Sequence, residues 1–426
     1  MLERFYISGF KSYSVFEPDL LQLAPLTMLI GGNASGKSNF IEGIQLLTWL
    51  ARGQRLGELA HAIRDGALTI RGRVQDFGSE HLVLACETDQ LQLRVELAID
   101  DKGPRVRGEA MSDRHDPDRT PLYVVTEPAQ RLGSELPVAY KSFVRGLYPE
   151  IFCIDQQAVF TQLLTPARFH DRDERSQREI PEHCKHIADE LGRVLFLDPV
   201  PGLMRGYSYL DELRLDSNGR NVSSILARIC AGAERDTVLT FVQALPEQAI
   251  KQIDFLRGPR NDVMVQLVET FGGHDRAIDA SLLSDGTLRV LAIAAAVLSV
   301  EPGSLVVIEE IDNGVHPSRA KTLMDALYAT AKRRGIKLLA TTHNPALLDA
   351  IPLAAVGDTV ACYRDQNGES RLQRLADLDD FVELSAQGPL GILATSGALE
   401  KFLKQRRTPE ERAAQLGETL DLFRAS

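Results

Sequence analysis

At 426 residues, with 44 % apolar and 25 % charged residues, the chain has a globular composition and is long enough for two or three domains, or for one domain with a large insertion. A net charge of −11 excludes a surface that binds nucleic acid everywhere, though not a local basic patch, and no run of eighteen apolar residues offers a membrane span. Charges at Glu3 and Arg4 come too early for the apolar stretch of a signal peptide, and the five scattered cysteines make no CxxC pair, so the chain reads as a soluble cytosolic protein with neither disulfide framework nor zinc ribbon.

Residues Leu2 to Phe16 alternate apolar and polar, which predicts an antiparallel strand at a sheet edge. Leu26–Ile30 (LTMLI) is a short apolar run that predicts a buried strand, and Phe40–Leu50 recurs at helical spacing. Between them lies GGNASGKSN, Gly31 to Asn39, which fits GxxxxGKS, the Walker A pattern of a phosphate-binding loop. Gly31, Gly32 and Gly36 allow the backbone angles that curl successive N–H groups around phosphate oxygens, and the following helix points its positive end at the same anion. In that pattern Lys37 reaches the outer phosphates and Ser38 places its hydroxyl on Mg²⁺.

From about Arg71 to Arg107 alternation returns in HLVLACETD and QLQLRVELAID, with a turn at Asp101–Pro104, so a β-rich meander is expected after the first helix. Ala110–Arg119 is polar and charged and reads as a loop. Helical and mixed sequence is expected from about Glu135 to Gln252, broken by prolines and glycines at Leu195–Ser208, without the sustained heptads of a coiled coil. His183, Cys184 and His186 cluster on an expected helix, but HCxH is poor spacing for a metal, and a solvated helix face is the simpler reading. A strand is expected at Asp262–Glu269, then a loop into an apolar helix at Ser284–Val300, a strand at Leu305–Ile308, a helix at Arg319–Arg334, a strand at Lys337–Thr341 and a short helix near Ala346. The tail beyond Asp377 reads as helical and ends in a charged amphipathic stretch, Leu403–Phe423.

LVVIEE, Leu305 to Glu310, places two carboxylates at the carboxyl end of a buried strand, where ligands bind in open α/β sheets. Glu309 suits a Walker B role on Mg²⁺, directly or through water, and Glu310 that of a general base for the attacking water. Ser284 and Gly286, in LLSDGT, stand at a second helix N-terminus whose N–H groups would face an anion. One chain cannot easily aim two such helix ends at one nucleotide, whereas two chains can. His343, in TTHNP, lies just past a strand, where a neutral imidazole would reach the γ-phosphate or the attacking water.

The order GGNASGKSN, LLSDGT, LVVIEEIDNGVHP and LLATTHNP resembles the ABC-type ATPase heads of the RecF, SMC and OLD families, and most of all the bacterial single-chain RecF-like ATPases; ISGFKSY also resembles that family's opening strand, LDPVPGLMR and LGILATSGALE more weakly. The resemblance implies an α/β, ABC-type P-loop head whose halves are residues 1–75 and 281–376, with a β-rich and helical lobe, 76–280, inserted between them and a helical tail at 377–426. It implies that Gly31, Asn33, Gly36, Lys37, Ser38 and Asn39 bind ATP and Mg²⁺, and that Ser284 and Gly286 contact the γ-phosphate held by a second subunit. Asp312 matches the dimer-contacting D-loop. Two departures are visible: the signature reads LSDGT, and the first Walker B acid is Glu309 where Asp is usual. Gln75, Gln156 and Gln157 all compete as the Q-loop glutamine.

For function, the resemblance implies a homodimer or higher oligomer closed by ATP that senses or regulates a separate effector protein, a nuclease or toxin, in anti-phage defence. A RecF-like ATP-gated DNA clamp is the alternative, with Lys102, Arg105, Arg107, Arg114 and Arg119 as a modest basic stretch that leaves nucleic acid open as a ligand. An intrinsic nuclease of OLD type is disfavoured because DLDDF, Asp377–Phe381, lacks a second acidic cluster, and a membrane transporter head because no membrane-coupling segment is visible.

Overall fold

The computed structural model describes residues 1–404 apart from 79–80, 119, 130, 145–148, 171, 244–248, 272, 316 and 379–380. Arg119, the two acids at 379 and 380, and the amphipathic tail from 405 onward therefore lie outside the described residues.

The runs LTMLI, LVVI and KLLAT are buried at every position, as strands covered on both faces must be. They form the middle of a six-stranded sheet ordered Val194–Leu197, Leu305–Ile308, Lys337–Thr341, Leu26–Ile30, Val360–Arg364, Ser370–Arg374, in which the first five strands are parallel and the last is antiparallel. The period of two sorts their side chains between two cores. Leu26, Met28, Ile30, Val306, Ile308, Leu338 and Ala340 join one, while Leu29, Leu305, Val307 and Leu339 join the other.

The first core is closed by helices. The alanine-rich Asp285–Ser299 buries almost every side chain from Thr287 to Leu298. Packed with it are Val222–Ala231, Arg235–Gln243 and Ala320–Arg334, the last stopped by Gly335 in the left-handed region and carrying Lys332, Arg333 and Arg334 in its final turn.

The second core lies under the P-loop helix, Lys37–Ala51, and the helix Glu174–Gly192, and is roofed by an eight-stranded antiparallel sheet. That sheet runs Asp19–Gln22, Leu2–Ser8, Leu82–Thr88, Leu91–Asp100, Gly103–Asp113, Pro121–Val125, Glu135–Tyr140, Glu150–Ile154. The turn expected at Asp101–Pro104 joins Leu91–Asp100 to Gly103–Asp113, with Asp100 opposite Gly103.

Three local expectations change. The first strand stops at Ser8, because Gly9 turns at φ +69°, and it sits one place in from the edge, since Asp19–Gln22 pairs outside it. Ala110–Asp113 extends a strand instead of forming a loop, drawn in by Met111, which is fully buried. Glu135–Tyr140 and Glu150–Ile154 are strands within the stretch expected to be helical and mixed; ELPVAY and EIFCI bury alternate residues over a span too short to stand out there. A four-stranded sheet holds Ser208–Tyr209, Ala249–Arg257, Asp262–Phe271 and His274–Asp279. The interval 76–280 thus supplies most of two further sheets, and returns Val194–Leu197 to the edge of the parallel one. All five cysteines are free and buried, and among the described residues no cluster of His, Cys, Asp and Glu could hold a metal by itself. No helix among them is long and apolar enough to cross a membrane.

Two truncations test this division. Met28→Ala in the fully buried loop strand should cost about 2–5 kcal/mol, and Val382→Ala, at an 80 % exposed position, less than about 0.5 kcal/mol. Urea unfolding followed by circular dichroism reads both, and comparable losses would refute the core assignment.

Candidate nucleotide site

The loop strand ends at Ile30 and the next helix begins at Lys37, so the intervening residues must reverse within a few positions. Gly31 and Gly36 take φ of +146° and +120°, and Ala34 +61°. A Cβ on Gly31 would lie 2.1 Å from the Cys362 carbonyl oxygen, and one on Gly36 2.1 Å from Ser370 Oγ, so these glycines answer both to angle and to the strands behind them. Gly32 has open space around it.

The loop is held from behind by its carbonyls. The Ala34 oxygen accepts from Arg364 Nε at 2.9 Å, that of Ser35 from Ser370 Oγ at 2.5 Å and Cys362 Sγ at 3.3 Å, and that of Gly36 from the Tyr13 hydroxyl at 3.1 Å. Because C=O and N–H point oppositely across a trans peptide, fastening the oxygens to the scaffold turns the N–H groups of Gly36 and Lys37 toward the other side, while the Ser35 N–H donates within the loop to the Gly32 carbonyl at 3.3 Å. Lys37 Nζ donates to the carbonyls of Gly31 at 2.8 Å and Gly32 at 3.0 Å, and burial pulls its pKa below the usual lysine range.

Four parallel strands deliver their carboxyl ends to this edge. Ser38 Oγ donates to Glu309 Oε2 at 2.8 Å, joining positions 271 residues apart, and burial raises the Glu309 carboxyl above its ordinary value. This hydroxyl and carboxylate are hard oxygen donors that leave most of a coordination sphere to water and phosphate, which suits Mg²⁺. Glu310 stands at φ +49°, its N–H donating to Thr341 Oγ1 at 2.9 Å and its Oε2 accepting from Asn313 Nδ2 at 2.7 Å. Asp312 accepts from Thr342 Oγ1 at 2.7 Å. A cavity of about 700 Å³ opens here, and Asn33, Gly36, Lys37, Ser38, Asn39, Glu309, Glu310 and His343 all line it. Gly31 lies behind it as a holder of Lys37.

Ser284, Gly286 and Asp312 do not line this cavity. Ser284 is exposed and caps its helix by accepting from the Thr287 N–H at 3.1 Å. Gly286 packs backbone to backbone against Gly314, for a Cβ on either would lie 2.5 Å from the other's main chain. Arg205 braces the same loop, donating to the carbonyls of Ser281 at 3.0 Å and Leu283 at 2.7 Å and pairing with Asp285 at 2.6 Å. Of the three candidate glutamines, Gln156 and Gln157 turn their amides to the main chain at Pro104 and Gly53, whereas Gln75 lies on the short turn Val74–Asp76, whose Asp76 lines the cavity.

Lys11, Arg71, Asp76 and Arg364 line the cavity without having been foreseen. Only Lys11 had a signal, its place in ISGFKSY. In the basic stretch, Arg105 pairs with Asp100 at 2.6 Å, Arg107 with Glu96 at 3.1 Å and Arg114 with Glu3 at 2.7 Å, which leaves Lys102 without an ion pair among the described residues.

Comparison with known proteins finds a family model described as "AAA domain, putative AbiEii toxin, Type IV TA system" matching residues 26–136 and 138–349. The DNA replication and repair protein RecF of Gloeobacter violaceus is 39 % identical over 69 residues, which is 16 % of this chain and 16 % of that protein. Among solved structures, the SMC head domain from Thermotoga maritima is matched at 13 % identity and TM-score 0.38, covering 88 % of this chain and 98 % of that one. An Smc head domain with an extended coiled coil from Pyrococcus furiosus, bound to the C-terminal domain of ScpA, is matched at 11 % identity and TM-score 0.42, covering 91 % and 99 %.

The two loop glycines separate sterically. Gly36→Ala should destabilise the protein by about 1–3 kcal/mol, and Gly32→Ala by less than about 0.5 kcal/mol. Thermal unfolding without nucleotide measures the difference, and equal shifts would contradict the loop geometry.

Proposed function

The chain belongs to the AAA-domain family whose model spans most of it, and from that premise we propose that it is an ABC-type P-loop ATPase head of the RecF/SMC kind that hydrolyses ATP across a head-to-head pair of chains and so regulates a separate effector protein. In this reading the loop N–H groups and Lys37 hold the phosphates, and Asn33, Gly36 and Asn39 shape the cradle. Ser38 and Glu309 would hold Mg²⁺, which when bound would supply charge neutralisation at the outer phosphates. Glu310 takes a proton from the attacking water, and His343 reaches the γ-phosphate from the end of its strand.

One observation carries the paired arrangement: Ser284 and Gly286 lie outside their own chain's cavity, on an exposed helix start. A second chain would bring that helix end to the phosphates, with Asp312 at the contact. ATP would then act as interfacial glue, contributing only in the closed state. The family description, with its toxin and toxin–antitoxin terms, supports a toxin-linked output; a separate nuclease or toxin partner and anti-phage defence are the setting we favour.

A RecF-like DNA clamp is the second reading, favoured by the short stretch of identity with RecF. It is weakened by the ion pairs that already occupy Arg105, Arg107 and Arg114.

Complementation tests the pair. Lys37→Ala and Ser284→Arg should each lower ATP turnover at least about 100-fold. Mixed in equal amounts, they should regain about a quarter of the parent rate, the share of intact composite sites in a random mixture of two-fold dimers. No recovery would defeat the paired site. Glu310→Gln should hold ATP and keep the pair shut, so purifying it from its native host with Mg-ATP should bring a stoichiometric protein. Nucleic acid without protein, bound with steep salt dependence, would instead establish the clamp.

A further inference from the structure

Glu42 is one turn beyond Ser38 on the P-loop helix, so the two side chains share a face of that helix. Glu42 is 2 % exposed, and its carboxylate gathers two cations. Lys11 Nζ contacts Oε2, while the Arg71 Nε and backbone N–H donate to Oε1 at 2.6 and 3.3 Å. Lys11 Nζ also donates to the Arg71 carbonyl at 2.7 Å, which closes the triad. Both cations line the nucleotide cavity.

The same contacts fasten the segment Arg71–Phe77 along the cavity wall. At its far end the Lys11 N–H donates to the Phe77 carbonyl at 2.7 Å, Phe77 meets Phe10 edge to face at 5.3 Å, and Lys11 Nζ lies over both rings at 5.2 and 5.4 Å. Arg71 uses its Nε on Glu42, and its terminal nitrogens form no hydrogen bond with a described residue. Its side chain is 68 % exposed, within electrostatic reach of Glu309. A planar guanidinium gripped by its inner nitrogen presents its outer two in one direction, the arrangement that recognises phosphate.

We infer that Glu42 is a positioning residue for the nucleotide: it aims Arg71 and Lys11 at the outer phosphates, on the side where Ser38 and Glu309 meet. This rests on the ATP reading above and extends it to residues outside the nucleotide motifs. The sign of its effect is diagnostic. A carboxylate near phosphates repels them, so if its charge alone mattered, neutralising it would tighten ATP binding. A positioning role demands the reverse.

The test uses the full chain, with Mg-ATP and Mg-ADP titrated against parent, Glu42→Gln, Arg71→Ala and the double variant, each checked for an unchanged thermal midpoint. Glu42→Gln should raise the Kd for ATP about tenfold and that for ADP less than about threefold, because the pair serves the outer phosphate. Adding Glu42→Gln to Arg71→Ala should cost less than Glu42→Gln costs alone, only the share carried through Lys11, as residues acting through one another do not add. Should Glu42→Gln fail to fold, Arg71→Lys replaces it, since losing the fork while keeping the charge should give the same selective loss for ATP. Unchanged or tighter ATP binding in Glu42→Gln, equal losses for ATP and ADP, or full additivity with Arg71→Ala would overturn the inference. A parent protein that binds neither nucleotide would bring down the ATP reading and this inference with it, a result distinct from a parent that binds while its variants match it.

Discussion

Parallel strands all end on the same side of their sheet, and the phosphate loop, the two acids and His343 meet because of that alignment. Ile30, Ile308 and Thr341 close three neighbouring strands, so the residues after them, drawn from both ends of the chain, emerge along one edge. The Ser38–Glu309 hydrogen bond is the local expression of this alignment, and the burial that places it also raises the Glu309 carboxyl. The cost of keeping a carboxylate and an ammonium half out of water at this edge is met by their partners: Ser38 for Glu309, and two loop carbonyls for Lys37.

What could be seen in the sequence was whatever burial on both faces forces into a continuous apolar run. LTMLI, LVVI and KLLAT admit few other readings at that length between glycines and acids, and the phosphate loop follows the first of them at once. Signals shorter than the reading window were lost. ELPVAY and EIFCI bury alternate residues over five or six positions, yet they open a long stretch whose charged sequence is helical and mixed in character. Met111 likewise drew a charged segment into a strand because one residue is enough to anchor an edge of the pairing.

Partnership was harder to foresee than position. Arg105, Arg107 and Arg114 form a basic stretch in the sequence, but strand pairing sets Asp100, Glu96 and Glu3 within reach and spends their charge locally. Arg71 and Glu42 lie 29 positions apart with ordinary neighbours, and nothing in either segment announces the other. Only the packing of the segment Arg71–Phe77 against Phe10 and the P-loop helix makes them a pair. Ion-pair geometry of this kind depends on tertiary register, which residue type and periodicity do not encode.

The contact between Gly286 and Gly314 leaves no room for any side chain, and it links two functions that sequence keeps apart. Gly314 follows Asn313, whose amide holds the Glu310 carboxylate, while Gly286 lies two residues after the exposed Ser284 that would meet another chain's nucleotide. Two backbones in direct contact move together or not at all. In a head-to-head pair, pressure on one chain's helix start would be passed through this contact toward that chain's own Glu310. Each site would then report its occupancy to the other. The pair's response to nucleotide would be cooperative, its rate climbing more steeply than a simple saturation curve, with two glycines as the joint through which the cooperativity passes.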